Sequence, residues 1–124
     1  MRKTILCIDD DVDELRLRKA ILQTKDYDVL TAPSGLAALA ILKHGHIDVV
    51  VLDYAMPEMD GTAVAGEIRK LSPQLPIVVL SGHDKCDLPD KLMELTDGFV
   101  AKASVPGILF SLLENLTGTD GVAA

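Results

Sequence analysis

Five short, largely apolar runs recur along the chain: Thr4 to Ile8, Asp28 to Ala32, Ile47 to Leu52, Ile77 to Leu80 and Gly98 to Ala101. Each is followed by a stretch of helical pattern, and this alternation limits the fold more than any other feature. The central run, Val49-Val50-Val51-Leu52, shows no polar alternation, so it reads as a strand buried on both faces. Strand and helix alternating five times predict an α/β fold, a doubly wound five-stranded parallel sheet with right-handed crossovers.

The intervening segments carry start and stop signals. Val12 to Thr24 reads as a helix with Asp11 as its cap and an acidic first turn that suits its dipole. Its period puts Val12, Leu15, Leu17, Ile21 and Leu22 inward and Arg16, Arg18 and Lys19 in solvent. Ser34 is a good N-cap for a helix through about Lys43, and Gly45 a good stop. A third helix, Gly61 to Leu71, would carry Val64, Ile68 and Leu71 inward, and Ser72-Pro73 ends it. Between Asp84 and Leu95 the pattern is least regular, with Pro89 near the start of a short helix. Val105 to Leu116 closes the domain with Ile108, Leu109, Leu112, Leu113 and Leu116 on one side.

The chain of 124 residues, 48% hydrophobic, suffices for one core, and we read residues 1–117 as a single domain and 118–124 as a polar, disordered tail. No run approaches the roughly 18 apolar residues of a membrane span, and no signal-peptide core is expected at the N-terminus. The net charge of −7 argues against nucleic acid, whose phosphates need a basic face. Cys7 and Cys86 lack metal-site spacing and read as reduced packing residues of a cytoplasmic protein.

Four of the five strands run into a polar residue: Asp9-Asp10, Asp53, Ser81 and Lys102. Ligands of open α/β sheets bind at the carboxyl ends of strands, so these groups could converge on one edge. Taken alone, Asp53 is either a satisfied loop residue or a functional group at the mouth of the sheet. With Asp9, Asp10 and Lys102 the charges sum to −2, and clustered carboxylates need a cation to stay ionised. An all-oxygen site points to Mg²⁺, which takes one or two carboxylates directly and keeps waters. Such a site attracts a phosphoryl group, with Lys102 neutralising its oxygens, Asp53 as nucleophile and Ser81 donating its hydroxyl.

Ile8-Asp9-Asp10, Leu52-Asp53 with Met56-Pro57 and Met59-Asp60-Gly61, Leu80-Ser81-Gly82, and Gly98-Phe99-Val100-Ala101-Lys102 together resemble the motif set of response regulator receiver domains. The resemblance covers almost the whole chain and implies a flavodoxin-like fold with strand order 2-1-3-4-5. It implies that Asp53 accepts a phosphoryl group from a histidine kinase or histidine phosphotransfer protein. It assigns Mg²⁺ ligation to Asp10, Asp53 and the carbonyl of Ala55, with Asp9 acting largely through water. Ser81 and Phe99 match a hydroxyl-and-aromatic pair that moves on phosphorylation and reshapes the face of the fourth helix, fifth strand and fifth helix. No output domain is read in this chain, so it is expected to dock on a protein partner, or to relay phosphate.

Ala103 stands where the family usually has proline after the lysine, and a trans bond is expected, since cis costs roughly 3 kcal/mol before a non-proline. The stretch between Ser81 and Phe99 is about a residue short and lacks the usual Ala-Gly turn, so an atypical fourth helix is expected. Asp11 reads as a cap, Asp13, Glu14, Glu58 and Asp60 as surface or loop, and His44 and His46 as a solvated helix end. His83 could border the site, and Phe99 could be plain core. Other functions fit less well. An FMN carrier needs a phosphate-binding loop where Asp9-Asp10-Asp11 stand. A phospho-aspartate hydrolase needs an acid two residues after its nucleophile, which is Ala55 here, so multiple turnover is not expected. A pseudo-receiver that binds partners without phosphorylation is the alternative reading.

Overall fold

The computed structural model describes residues 2–54, 61–82, 88–102 and 107–117. Along the chain they form β1 (Thr4–Ile8), α1 (Val12–Gln23), β2 (Asp28–Ala32), α2 (Gly35–His44) and β3 (Val49–Asp53). There follow α3 (Gly61–Leu71), β4 (Ile77–Ser81), α4 (Asp90–Leu95), β5 (Gly98–Ala101) and α5 (Gly107–Thr117). All neighbouring strands pair in parallel, in the order β2-β1-β3-β4-β5, as expected.

Successive strand residues point to opposite faces, which divides the core in two. Ile5, Cys7, Val49, Val51, Val78, Leu80 and Val100 pack with Leu15 and Leu22 of α1 and Leu109 and Leu113 of α5. Leu6, Ile8, Val50, Leu52, Ile77 and Val79 pack with Ala38 of α2, with Val64, Ala65 and Ile68 of α3, and with Leu92 of α4. With apolar cover on both faces, β3 and β4 are buried along their whole length. Burial in the first layer pushes the free Cys7 thiol up to about 12, so it is a packing residue there.

The caps form where the side chains called for them. Asp11 accepts from the backbone N–H of Asp13 at 3.0 Å and of Glu14 at 3.2 Å. Ser34 accepts from Ala37 N–H at 3.1 Å, and Gly45 follows the last turn of α2. At the far end of the sheet Asp48 accepts from Thr4 N–H at 2.7 Å, and that bond with His46 outweighs burial and lowers its pKa. In place of an Ala-Gly turn, Asp97 accepts from Ile77 N–H at 2.8 Å and from Arg69 at 2.6 Å. Gly98 lies close under Leu112, whose Cδ2 would be 2.6 Å from a Cβ built there, so a larger residue would require the Leu112 side chain to shift. The short helix expected near Pro89 spans Asp90–Leu95.

The helix faces differ from expectation in five places. Val12, Leu17, Leu71 and Ile108, expected inward, are exposed, and Arg18, expected in solvent, is 5% exposed. The reason is angular. Leu15, Arg18 and Leu22 are the buried residues of α1, three and then four positions apart, so they share one face. Leu17, two positions from Leu15, points about 200° away. β3 also begins at Val49, with Ile47 and Asp48 outside the strand, and extends onto Asp53.

Candidate functional site

The carboxyl ends of β1, β3, β4 and β5 form one edge, and register decides which side chains meet there. Asp53 pairs with Leu80 and belongs to β3 itself, so its direction is set by the pleat. Two residues beyond Val51, it shares the α1–α5 face, and the same parity takes Asp9 from Cys7 and Lys102 from Val100. Lys102 Nζ lies 2.9 Å from Asp53 Oδ1. Asp9, Asp10 and Asp53 each offer a carboxylate oxygen, all within 4.8 Å of one another. Asp9 and Asp53 are buried and Asp10 is exposed.

Burial pushes the Asp53 carboxyl above its ordinary value; the hydrogen bond from Lys102 opposes this and the charge of Asp9 adds to it. Burial alone would lower Lys102, but its hydrogen bond to Asp53 and the carboxylate charges around it raise it. The amine is therefore held charged beside a carboxylate that burial disfavours.

A fifth charged group belongs to the site. Arg18 Nη1 lies 3.2 Å from Asp9 Oδ2, and its Nη2 is 3.5 Å from Glu14 Oε2. The other oxygen of Asp9, Oδ1, accepts from Asp11 N–H at 3.0 Å. Three carboxylates against Lys102 and Arg18 leave a net charge of −1, not the −2 expected when Arg18 was placed in solvent. The sequence signal was its helical phase, three residues after Leu15 and four before Leu22. Arg18 and Lys102 also line a cleft of about 200 Å³ with Glu14, Leu17 and Ile21.

Ser81 ends β4, is buried, and pairs with Ala101. Its parity matches Val79, which pairs with Phe99, so Ser81 and Phe99 belong to the opposite face of the sheet. Phe99 packs there, half-buried, against the cluster that includes Leu88 and Leu92. Near Asp53, Gly61 N–H donates to Tyr54 C=O at 2.9 Å, and a Cβ on Gly61 would lie 2.9 Å from that same oxygen. Only glycine permits this approach, which ties the first residue of α3 to the end of β3. Ala55, Pro57, Glu58, Asp60, His83, Cys86, Ala103 and the 118–124 tail lie outside the described residues.

The donor set suits a small divalent cation. Its described groups are carboxylate oxygens on one edge, with a residual negative charge, and one of the carboxylates is open to solvent. Among the described residues no helix is long and apolar enough to cross a membrane.

The model of the response regulator receiver domain family matches residues 5–114. The chain is 33% identical over 102 residues to the transcriptional regulatory protein GlrR of Escherichia coli (strain K12), covering 82% of this chain and 22% of that protein. It is 33% identical over 112 residues to the autoinducer 1 sensor kinase/phosphatase LuxN of Vibrio harveyi, covering 90% of this chain and 13% of that protein. The chain thus spans well under half the length of these curated relatives. The solved structure of the response regulator TrrA from Thermotoga maritima, in complex with Mg(2+)-BeF, superposes with a TM-score of 0.84 at 34% identity, covering 92% of this chain and 98% of that one. By family match, sheet order and the convergence of Asp9, Asp10, Asp53 and Lys102 on one edge, this chain belongs to the response regulator receiver domains of two-component signalling.

Proposed function

We propose that this chain is a magnesium-dependent phosphoryl acceptor: Asp53 takes the phosphoryl group from a histidine kinase or a histidine phosphotransfer protein, and a protein-docking surface changes in response. The observation that carries this reading is the setting of Asp53. It is a buried carboxylate at the end of the central strand, 2.9 Å from an amine and clustered with two further carboxylates. The solved complex of TrrA with Mg(2+)-BeF supports it, because a magnesium ion beside a fluoroberyllate is a charge pattern these side chains would accept.

Mg²⁺ bound by Asp10 and Asp53 would turn the residual charge of −1 into +1 and let phosphoryl oxygens approach. Asp53 then supplies an oxygen lone pair to the phosphorus of a phosphohistidine. The P–O bond forms as the P–N bond breaks, the imidazole leaves with the electron pair, and an acyl phosphate remains on Asp53. Lys102, already at Oδ1, needs only a small movement to neutralise a phosphoryl oxygen. Ser81, at the end of the next strand, offers its hydroxyl to another.

A pull on Ser81 is felt on the face where Phe99 packs against Leu88 and Leu92, which links phosphorylation to the α4–β5 surface. With Ala55 two positions after Asp53, no side chain there can act as general acid, so one phosphoryl group per cycle is the stoichiometry. This reading places the chain in the cytoplasm with its phosphodonor.

The test is intact mass after incubation with Mg²⁺ and acetyl phosphate. The parent should gain one phosphoryl group and Asp53→Ala none. Equal adducts on both would remove Asp53 as acceptor.

A further inference from the structure

Arg18 stands on the core-facing stripe of α1 between Leu15 and Leu22, where packing alone would favour an apolar side chain. Burying a guanidinium is costly unless it is paired. Its partner is Asp9, equally buried, and both oxygens of Asp9 are engaged by donors of the protein, Arg18 Nη1 and Asp11 N–H. Each oxygen of Asp9 thus already accepts one bond within the protein, whereas Asp10 is exposed and, among the described residues, Asp53 is paired with Lys102.

We propose that Arg18 is a positioning residue and the site's own counter-cation: it holds Asp9 out of direct metal contact and keeps the affinity for Mg²⁺ low. The inference rests on the function proposed above and goes beyond it by naming what sets the ion's affinity. Two positive charges cannot both neutralise one small carboxylate cluster without repelling each other. Arg18 and the divalent ion are therefore antagonists. Over Asp9, Asp10, Asp53 and Lys102 the charge is −2, and Arg18 brings it to −1; Glu14, paired with Arg18 at the rim, is the same in both cases.

The experiment is calorimetric titration of MgCl₂ into the full chain and its variants at fixed ionic strength. Arg18→Met, which keeps the length and removes the charge, should bind Mg²⁺ more tightly by about ten-fold or more, the scale of one charge acting on a divalent ion a few ångströms away. Arg18→Lys should stay near the parent. A role in packing alone predicts the reverse, with both variants binding more weakly as Asp9 loses its place.

Because Arg18→Met leaves Asp9 buried and unpaired, the double variant Asp9→Asn/Arg18→Met removes the pair as a unit and keeps the fold testable. It restores the net charge of −1 and should bind Mg²⁺ like the parent. Loss of binding in the double variant would make Asp9 a direct ligand and overturn the proposal. Equal affinity of parent and Arg18→Met would overturn it alone, whereas uptake by neither would overturn the underlying function as well.

Discussion

Arg69 gives the sharpest stability prediction. From α3 its guanidinium donates to Leu95 C=O at 2.8 Å, to Pro73 C=O at 3.2 Å, to Leu75 C=O, and to Asp97 Oδ2 at 2.6 Å. One side chain thus ties the last turn of α4 to the chain entering β4 and to the turn before β5. Arg69→Ala strands two half-buried carbonyls, Leu95 and Leu75, and loosens a carboxylate that also holds Ile77 N–H. Each half-buried bond contributes about 1 kcal/mol, and the exposed Pro73 bond close to nothing. The Asp97 pair, 21% and 38% exposed, adds under about 1 kcal/mol after solvent screening. The loss is then about 2–3 kcal/mol, or a fall in Tm of roughly 10 °C for a domain of this size. Urea unfolding followed by circular dichroism measures it, with the slope unchanged. Arg69→Lys, a single point of donors, should recover less than half. A loss below about 0.5 kcal/mol, or full recovery by lysine, would refute the assignment of these bonds as a staple.

Two further outcomes follow from the site. Burial raises the Asp53 pKa from 3.8, so its protonated form favours folding and that contribution is lost as pH rises through the raised value. Without Mg²⁺, Asp53→Asn should therefore match the parent near pH 3 and be the more stable at pH 7; a parent equal to or more stable than the variant at pH 7 contradicts this. In Gly61→Ala the new Cβ meets Tyr54 backbone at 2.9 Å, which costs about 1–3 kcal/mol and should slow phosphoryl uptake at the adjacent Asp53, read by intact mass against time.

Much of this molecule was legible in advance because its determinants are local. The caps at Asp11 and Ser34 act over three residues, and the strand runs are apolar on both faces because helices cover both. The edge residues Asp9, Asp10, Asp53, Ser81 and Lys102 announced themselves by following apolar runs, and the fold brings Asp53 and Lys102, 49 residues apart in sequence, into contact. Helix faces were less legible. Val12, Leu17, Leu71 and Ile108 are apolar yet exposed, since helical phase and not residue type decides burial.

Periodicity and the polar ends of the strands determined the elements, the parallel sheet and the face each strand residue takes, because side-chain direction follows from the backbone repeat. Only the packed fold decided that Arg18 neutralises Asp9 and that Arg69 binds Leu95 and Asp97, 26 and 28 residues away. A guanidinium on a long stem chooses its partner by what the neighbouring elements bring within reach, and that distance is a property of the assembled core.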